Sequence, residues 1–172
     1  MLSACSIDPL KNSHEVVICD SATARSAHKE LYHFKDEVYV TPDNETDIFE
    51  AVAGIVNSCN TSPSDCPSKI HIALGWESIM KTALWKHGQP VNGEVLILLR
   101  NAGLGSVELQ PFRTADINDL FPWLYYGKRF DILRKVCHAT KKQMESHLKD
   151  HTIRVDCHLV AQETKKIVAS SL

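Results

Sequence analysis

Residues 16–31 read VVICDSATARSAHKEL, and this stretch sets the first unit of the fold. Its opening VVI is β-branched and apolar, which predicts a short buried strand. The residues that follow repeat apolar side chains at helical spacing, through Ala24, Ala27, Leu31 and Phe34. A strand that leads directly into a helix is the first half of a crossover unit, so the stretch indicates an α/β protein.

The alternation continues along the chain. The predicted strands are 37–40, 69–76, 91–101 and 152–161, and the predicted helices begin at 43 or 44, at 77 and at 114. Asp43 or Asn44 can cap the second helix, whose apolar face runs from Ile48 to Val56. The helical stretch 114–150 is expected to break near Pro122 and Gly127, because proline and glycine interrupt helices. Residues 101–112 are predicted to form a turn and a returning strand.

This order predicts a single three-layer α/β domain over residues 1–172, with a mixed but mostly parallel sheet. The run VLILL within 91–101 is the most apolar segment and is expected at the sheet centre, with Val95, Ile97 and Leu99 buried beside Val17 and Ile72. An α+β arrangement with a mostly antiparallel sheet is the alternative. Residues 1–13 are predicted to be irregular, and the tail 163–172 has no clear preference.

Composition restricts the classes of function. The chain has 44% hydrophobic and 23% charged residues and a formal net charge of −2, with lysine and arginine scattered among acids. A nucleic-acid surface is not predicted, because it would need a basic patch. No apolar run is long enough for a membrane span. The N-terminal residues have no basic leader, so a cytoplasmic location is expected, with a nuclear one as the alternative. Ser170-Ser171-Leu172 is only a distant relative of the peroxisomal tripeptide.

Six cysteines, at 5, 19, 59, 66, 137 and 157, are expected to be reduced in such a compartment. The sequence predicts no cofactor and no metal site. It contains no Cys-x2-Cys or His-Glu-x-x-His motif. Cys157 and His158 are adjacent on a strand and so point to opposite faces. His147 and His151 are better explained as positive groups near the C-terminal end of a helix.

One spacing carries a specific chemical hypothesis. In Cys19-x5-Arg25-Ser26, the amides after the strand and the helix N-terminus would bind a phosphate and lower the thiol pKa. Arg25 would bind two phosphate oxygens through its planar fork, and Ser26 would hydrogen-bond the sulfur. The spacing resembles that of the cysteine-dependent phosphatases, and its place after the first strand is similar to their low-molecular-weight class. The stretch lacks the glycine of such loops, Asp20 would repel a phosphate, and no Asp-Pro pair follows late in the chain.

A second signal is the concentration of aromatic residues in DLFPWLYYGKRF, residues 119–130. Such a segment is either part of the core beneath a kinked connection or a surface that binds another protein. Tryptophan, tyrosine and arginine are enriched at such surfaces. The expected anchors are Trp123, Tyr125, Tyr126 and Arg129, with Trp123 partly exposed.

Two functions follow from these signals. The first is a non-catalytic α/β module that binds a protein partner or a second copy of itself. The alternative is a phosphomonoester hydrolase that forms a thiophosphate on Cys19 and takes a phosphorylated ligand.

Overall fold

A computed structural model describes residues 15–42, 47–148 and 151–172. Five strands form one sheet in the order β2-β1-β3-β4-β5. Their bounds are Glu15–Cys19 (β1), Tyr39–Val40 (β2), Lys69–Leu74 (β3), Arg154–Ala161 (β4) and Lys166–Ser170 (β5). The first four strands are parallel, and β5 runs antiparallel to β4. The predicted α/β class with a mixed, mostly parallel sheet is confirmed.

Helices cover both faces of the sheet. They are Ala22–Tyr32 (α1), Ile48–Thr61 (α2), Trp76–Leu84 (α3), Asn92–Asn101 (α4), Ser106–Leu109 (α5), Ile117–Tyr126 (α6) and Phe130–Leu148 (α7). We call the sheet face that α1 covers the small face, and the face that the later helices cover the large face. The strands alternate between them, so Val16 and Ile18 enter the large-face core while Val17 and Cys19 pack beside α1.

The direction of the crossovers explains this division. The chain passes from β1 over α1 to β2 on one side, then returns over α2 to β3 on the other side of β1. Because both connections are right-handed, α1 and α2 must lie on opposite faces. The strand order reverses between β1 and β3. In open sheets of this kind, ligands bind beyond the carboxyl ends of the strands at such a reversal.

The segment predicted as the central strand is instead helix α4. Val95 and Leu99 are buried, as expected, but they are four residues apart on one helical face, and Ile97 between them is 55% exposed. A continuous apolar run has no periodicity that separates a buried strand from a helix, so the strand assignment of 91–101 was wrong. The sheet centre is β3, which contains Ile72, and Val17 lies on the adjacent strand β1; both are buried in the sheet as predicted.

The antiparallel edge also comes from a different segment. The segment 101–112 has no returning strand: after the end of α4 and a turn, residues 106–109 form α5 and residues 110–112 form a short 3-10 helix. The edge strand β5 lies in the tail that had no clear sequence preference. Helix α2 is capped by Asp47, which accepts a hydrogen bond from the amide of Glu50 at 2.9 Å. The predicted caps Asp43 and Asn44, and the segment 1–13, lie outside the described residues.

Two cysteines are not reduced. Cys59 at the end of α2 and Cys66 after the following 3-10 turn are joined by a disulfide, with their Cα atoms 4.6 Å apart. The prediction of reduced thiols rested on the expected compartment, which says nothing about a turn that brings two cysteines together. Cys19, Cys137 and Cys157 are free and buried, and Cys5 lies outside the described residues. None of the described helices has the length and apolarity needed to cross a membrane.

Candidate functional sites

The first candidate is the turn between β1 and α1. Ser21 caps α1 through a 3.1 Å hydrogen bond from the amide of Ala24 to its hydroxyl. Asp20 reaches across the strand ends, and its carboxylate accepts a 2.7 Å hydrogen bond from the amide of Gly75. A carboxylate of the chain itself therefore occupies part of the crevice where a phosphate would be expected to bind.

Cys19 has the opposite properties from a phosphatase nucleophile. Its side chain is fully buried, and burial raises the pKa of the thiol to about 12, with a further contribution from the charge of Asp20. Arg25 is the one neighbour that lowers this pKa, and it does so least. A thiolate at neutral pH is thus strongly disfavoured at this position.

Arg25 and Ser26 do not face a common phosphate position beside Cys19, as the phosphate-loop hypothesis requires. The Arg25 guanidinium lies 3.1 Å from a carboxylate oxygen of Asp36 and 5.4 Å from the centre of the Tyr39 ring. Ser26 is exposed on α1. The thiol, the guanidinium and the hydroxyl therefore face the core, a surface ion pair and solvent, and the geometry gives the phosphate-loop hypothesis no support.

The second candidate is the aromatic segment. It forms a continuous helix, α6, through Pro122, so the predicted break at this proline was wrong. The helix ends at Gly127, where a Cβ atom would approach the carbonyl oxygen of Trp123 to 2.7 Å. Lys128 then adopts a left-handed conformation, and the amide of Arg129 bonds back to the carbonyl of Leu124 at 2.9 Å. This arrangement is a Schellman motif, which terminates the helix at the predicted position.

Helix α6 divides its side chains between core and surface. Leu120 and Leu124 are buried in the large-face core, whereas Trp123 is 36% exposed and Tyr126 is 68% exposed. The exposure of Trp123 matches the expectation for an interaction surface. The two leucines are the fully buried part of the segment, and Phe121 is partly buried against the same core.

A cleft of about 190 Å³ lies beside α6, beyond the carboxyl end of β4. We call it the aromatic cleft. It is lined by Trp76, Asn118, Phe121, Pro122, Tyr125 and Tyr126 on the helical side, and by residues 160–164 on the strand side. The Trp76 indole donates a 2.9 Å hydrogen bond to the carbonyl of Ile117, which fixes the start of α6 against α3. Across the mouth, the Tyr126 hydroxyl donates to Glu163 at 3.0 Å.

The four predicted anchors are therefore divided. Tyr125 and Tyr126 line the cleft, and Tyr125 also lies edge-on to Phe130, with ring centres 5.8 Å apart. Trp123 lies outside the cleft and packs against Phe112, with the two ring centres 4.7 Å apart. Arg129 pairs with Glu108 at 3.1 Å and Asp131 at 3.3 Å, which joins α5 to the start of α7.

The third candidate is a group of three buried histidines that the sequence did not indicate. His28 on α1, His71 on β3 and His158 on β4 each offer one side-chain nitrogen, and these atoms lie within 4.8 Å of one another. We call them the histidine cluster. The rings of His71 and His158 are nearly parallel, with centres 5.8 Å apart, and the His28 ring lies 5.4 Å and 5.2 Å from them.

Strand register brings the cluster together on the small face. His71 pairs with Asp156 and Ala73 pairs with His158, so the two histidines lie on adjacent strands, two residues apart in register and on the same face. Helix α1 places His28 above them. Tyr32 and Phe34 close the side of the cluster, with ring centres 5.1 Å from His158 and 5.3 Å from His71 respectively.

Each histidine has a polar neighbour at its outer side. His28 Nδ1 is 2.9 Å from the Tyr39 hydroxyl, and His158 Nδ1 is 2.8 Å from the Ser170 hydroxyl. His71 Nε2 is 3.4 Å from a carboxylate oxygen of Glu15. Asp156 lies 3.9 Å from His71 Nδ1 and forms an ion pair with Lys69.

Burial keeps the cluster neutral. Burial, with a smaller contribution from the neighbouring histidines, lowers the pKa of His28 to about 4 and that of His158 to about 3. The pKa of His71 is also lowered, chiefly by burial, although Glu15 and Asp156 act in the opposite direction. All three imidazoles therefore present lone pairs near neutral pH.

The sequence contained one weak sign of this cluster. Lys69–Leu74 (KIHIAL) and 156–161 (DCHLVA) each carry a histidine inside an otherwise apolar strand. A polar group at such a position needs a specific partner in the core. Local motif searches miss it, because the three histidines are far apart in the chain.

A second group that could hold a metal consists of Cys59, Cys66 and His151. The disulfide consumes both of its sulfur ligands in this structure. His147, the other histidine near the end of α7, stacks on Trp85 with ring centres 3.6 Å apart.

No protein-family model matches the chain, and no curated protein or solved structure is significantly similar to it.

Proposed function

We propose that the protein is a non-catalytic interaction module that binds a partner protein through the aromatic cleft. The observation that carries this proposal is the pair Tyr125 and Tyr126, which line a cleft beyond the end of β4 while Tyr126 remains 68% exposed. Tyrosine combines a large apolar ring with a hydroxyl at low entropic cost, and it is enriched where proteins bind one another.

The size of the cleft favours a protein side chain over a metabolite. Pockets that enclose a small molecule have volumes of about 300–1,000 Å³. The aromatic cleft, at about 190 Å³, is smaller than this range. It suits one large apolar side chain of a partner, inserted as an anchor into a flat surface.

The rim of the cleft supplies hydrogen-bonding groups around such an anchor. Asn118 lies on the helical side, and Gln162, Glu163 and Thr164 lie on the strand side. An apolar centre with a polar rim is the usual anatomy of a protein interface. The expected partner presents an aromatic or aliphatic side chain flanked by free backbone groups.

The hydrolase alternative gains nothing from the structure. It requires an accessible thiolate near Arg25, whereas Cys19 is buried and its pKa is raised to about 12. The aromatic cleft also contains no cysteine or histidine that would serve as a nucleophile or base.

The test is selection of peptides from a random displayed library against the folded protein, followed by affinity measurement on variants. Tyr126→Ala should weaken the binding free energy of the selected peptides by roughly 1–4 kcal/mol, because it removes a ring that would form part of the anchor pocket. Tyr126→Phe is the matched control, since it keeps the ring and loses only the hydroxyl. Leu31→Ala, an exposed site on α1, should have no effect.

Two outcomes would count against the proposal. One is a library from which no peptide is enriched over an unfolded control. The other is binding that Tyr126→Ala and Leu31→Ala change equally. Sedimentation of the protein alone would show whether the partner is a second copy of the chain, in which case Tyr126→Ala should shift the species toward monomer.

A further inference from the structure

We propose that His28, His71 and His158 bind a divalent transition metal ion, with Zn²⁺ as the expected ion. This site is separate from the aromatic cleft, and the inference does not depend on the proposed interaction function. It rests on the distances, the partners and the burial of the three side chains.

The distances fit a metal centre. His71 Nδ1 and His158 Nε2 are 3.5 Å apart, which is long for a hydrogen bond between rings. Zinc–nitrogen bonds of about 2.0–2.1 Å in tetrahedral geometry place two ligand nitrogens about 3.3–3.4 Å apart. The third nitrogen, from His28, lies within 4.8 Å of both. Small side-chain rotations would therefore complete a three-nitrogen site.

The outer hydrogen bonds select which nitrogens face the ion. Tyr39 and Ser170 engage the Nδ1 atoms of His28 and His158, which leaves both Nε2 atoms facing inward. Glu15 lies beside His71 Nε2, which leaves Nδ1 of that ring for the metal. Histidine ligands usually donate their second N–H to a carboxylate or another acceptor, because this fixes the ring and raises its basicity.

Two ring nitrogens of the cluster, His28 Nε2 and His71 Nε2, are buried and make no hydrogen bond within the described part of the chain. His71 Nε2 has the Glu15 carboxylate 3.4 Å away, whereas His28 Nε2 belongs to a fully enclosed side chain that has no charged neighbour at this nitrogen among the ion pairs of the described residues. Leaving a buried polar atom unsatisfied is costly, so most such atoms in folded proteins have a partner. A metal ion at the centre of the cluster would provide one.

The ligand set indicates the type of ion. Three neutral imidazoles suit zinc, copper, iron or nickel, whereas magnesium and calcium require oxygen ligands. Asp156 lies 3.9 Å from His71 Nδ1, so either its carboxylate or a water molecule is placed to complete four-fold coordination. The negative carboxylates of Glu15 and Asp156 would partly neutralise the positive charge of the ion. Lys69 is paired with Asp156 and so reduces the negative charge that this carboxylate contributes.

The enclosure of the cluster indicates a structural role. His28, His71 and His158 are all buried, and Tyr32 and Phe34 cover them. A substrate would have no path to the ion without movement of α1. The metal would join α1 to β3 and β4, as a closed structural zinc site joins separate segments.

The experiment uses the full chain without a polyhistidine tag, treated with chelator and then dialysed against Zn²⁺ or Co²⁺. We expect one ion per chain by elemental analysis, the visible d–d bands of tetrahedral Co²⁺, and a higher thermal midpoint with metal. His71→Ala should abolish binding. His138→Ala, which removes an exposed histidine on α7, should leave it unchanged.

Two further variants keep the result decisive. Ser170→Ala removes only an outer partner and should weaken metal affinity by about 10–100-fold even if His71→Ala does not fold. The double variant Cys59→Ser and Cys66→Ser removes the other candidate ligands and should retain the ion. The proposal is overturned if the folded wild type binds no stoichiometric metal. It is also overturned if binding survives in Ser170→Ala at full affinity, or disappears in the double cysteine variant alone.

Discussion

The two faces of the sheet are built on different chemistry. The large face buries an almost wholly apolar core beneath six helices, with Ile18, Ile72 and Leu159 from the strands. Over the small face, the part of the chain that the structure describes contributes one α-helix, α1, and beneath it the strands present His71, Asp156 and His158. Stability therefore depends mainly on the large face, whereas the small face holds the buried polar groups that a specific binding site requires.

The largest effect is expected from the large face. Leu133 on α7 is fully buried in this core. Leu133→Ala should lower the free energy of unfolding by about 2–5 kcal/mol, through lost apolar burial and the cavity that remains. Urea unfolding of the two proteins measures this difference. A change below about 1 kcal/mol would show that the large face does not dominate stability.

Acid should act on the small face. The pKa of His28 is about 4 and that of His158 about 3 in the folded protein, against an ordinary value of 6.5. The unfolded chain binds these protons first, so metal-free protein should lose stability as the pH falls from about 6.5 to about 3. The shift at His28 corresponds to about 3 kcal/mol.

The matched variant for this prediction is His28→Gln, which cannot be protonated. Its stability should be flatter between pH 6.5 and 4 than that of the wild type, as measured by urea unfolding at each pH. Asp156 and Lys69 lie beside the cluster in both proteins, so their charges are common to the comparison. Equal slopes for the two proteins would contradict the shifted pKa of His28.

A smaller loss of stability is expected from removing the N-cap of one helix on each face, which gives a matched pair of variants. Ser21 caps α1 on the small face and Asp47 caps α2 on the large face, each by accepting a bond from the third amide of its helix. Ser21→Ala and Asp47→Ala should each cost about 1 kcal/mol. Hydrogen exchange should separate the two variants, because α1 is the one α-helix that the described residues place over the small face, and it should open by itself. Equal exchange over α1 in the two variants would contradict this difference.

The smallest effect is expected at Cys19. Because the thiol is buried and its pKa is raised to about 12, iodoacetamide at pH 8 should leave it unmodified while the fold is native. Mass spectrometry of the native and the urea-unfolded protein gives the measurement and its control. Rapid native alkylation that phosphate suppresses would restore the phosphate-loop hypothesis.

Local sequence patterns were sufficient for much of the fold. The strand at Glu15–Cys19, helix α1 and the strand at Lys69–Leu74 follow from β-branched runs and helical spacing within a few residues. The segment 91–101 was misassigned because its apolar run is as compatible with a strand as with a helix. Its burial depends on which neighbours surround it, and that is a property of the complete fold.

The sites show the same limit. The aromatic residues of 119–130 are adjacent in sequence, so their surface could be predicted even though their division between cleft and ion pairs could not. The histidine cluster depends on register between β3 and β4 and on the position of α1. No local pattern encodes a contact among residues so far apart, whereas the local cysteine spacing joins a thiol, a guanidinium and a hydroxyl that have three different surroundings.

The pairing of β3 with β4 also has a consequence for how the chain acquires its structure. For these two strands to pair, the chain must close a loop that contains residues 76–153 and their five described helices. Closing so long a loop is entropically costly and slows folding, so we expect the sheet to be completed late. During synthesis, β3 would remain without its neighbour β4 until Ala161 has emerged. Chains truncated after Leu148 should therefore be rapidly degraded by added protease, and the histidine cluster should form only in the final folding step.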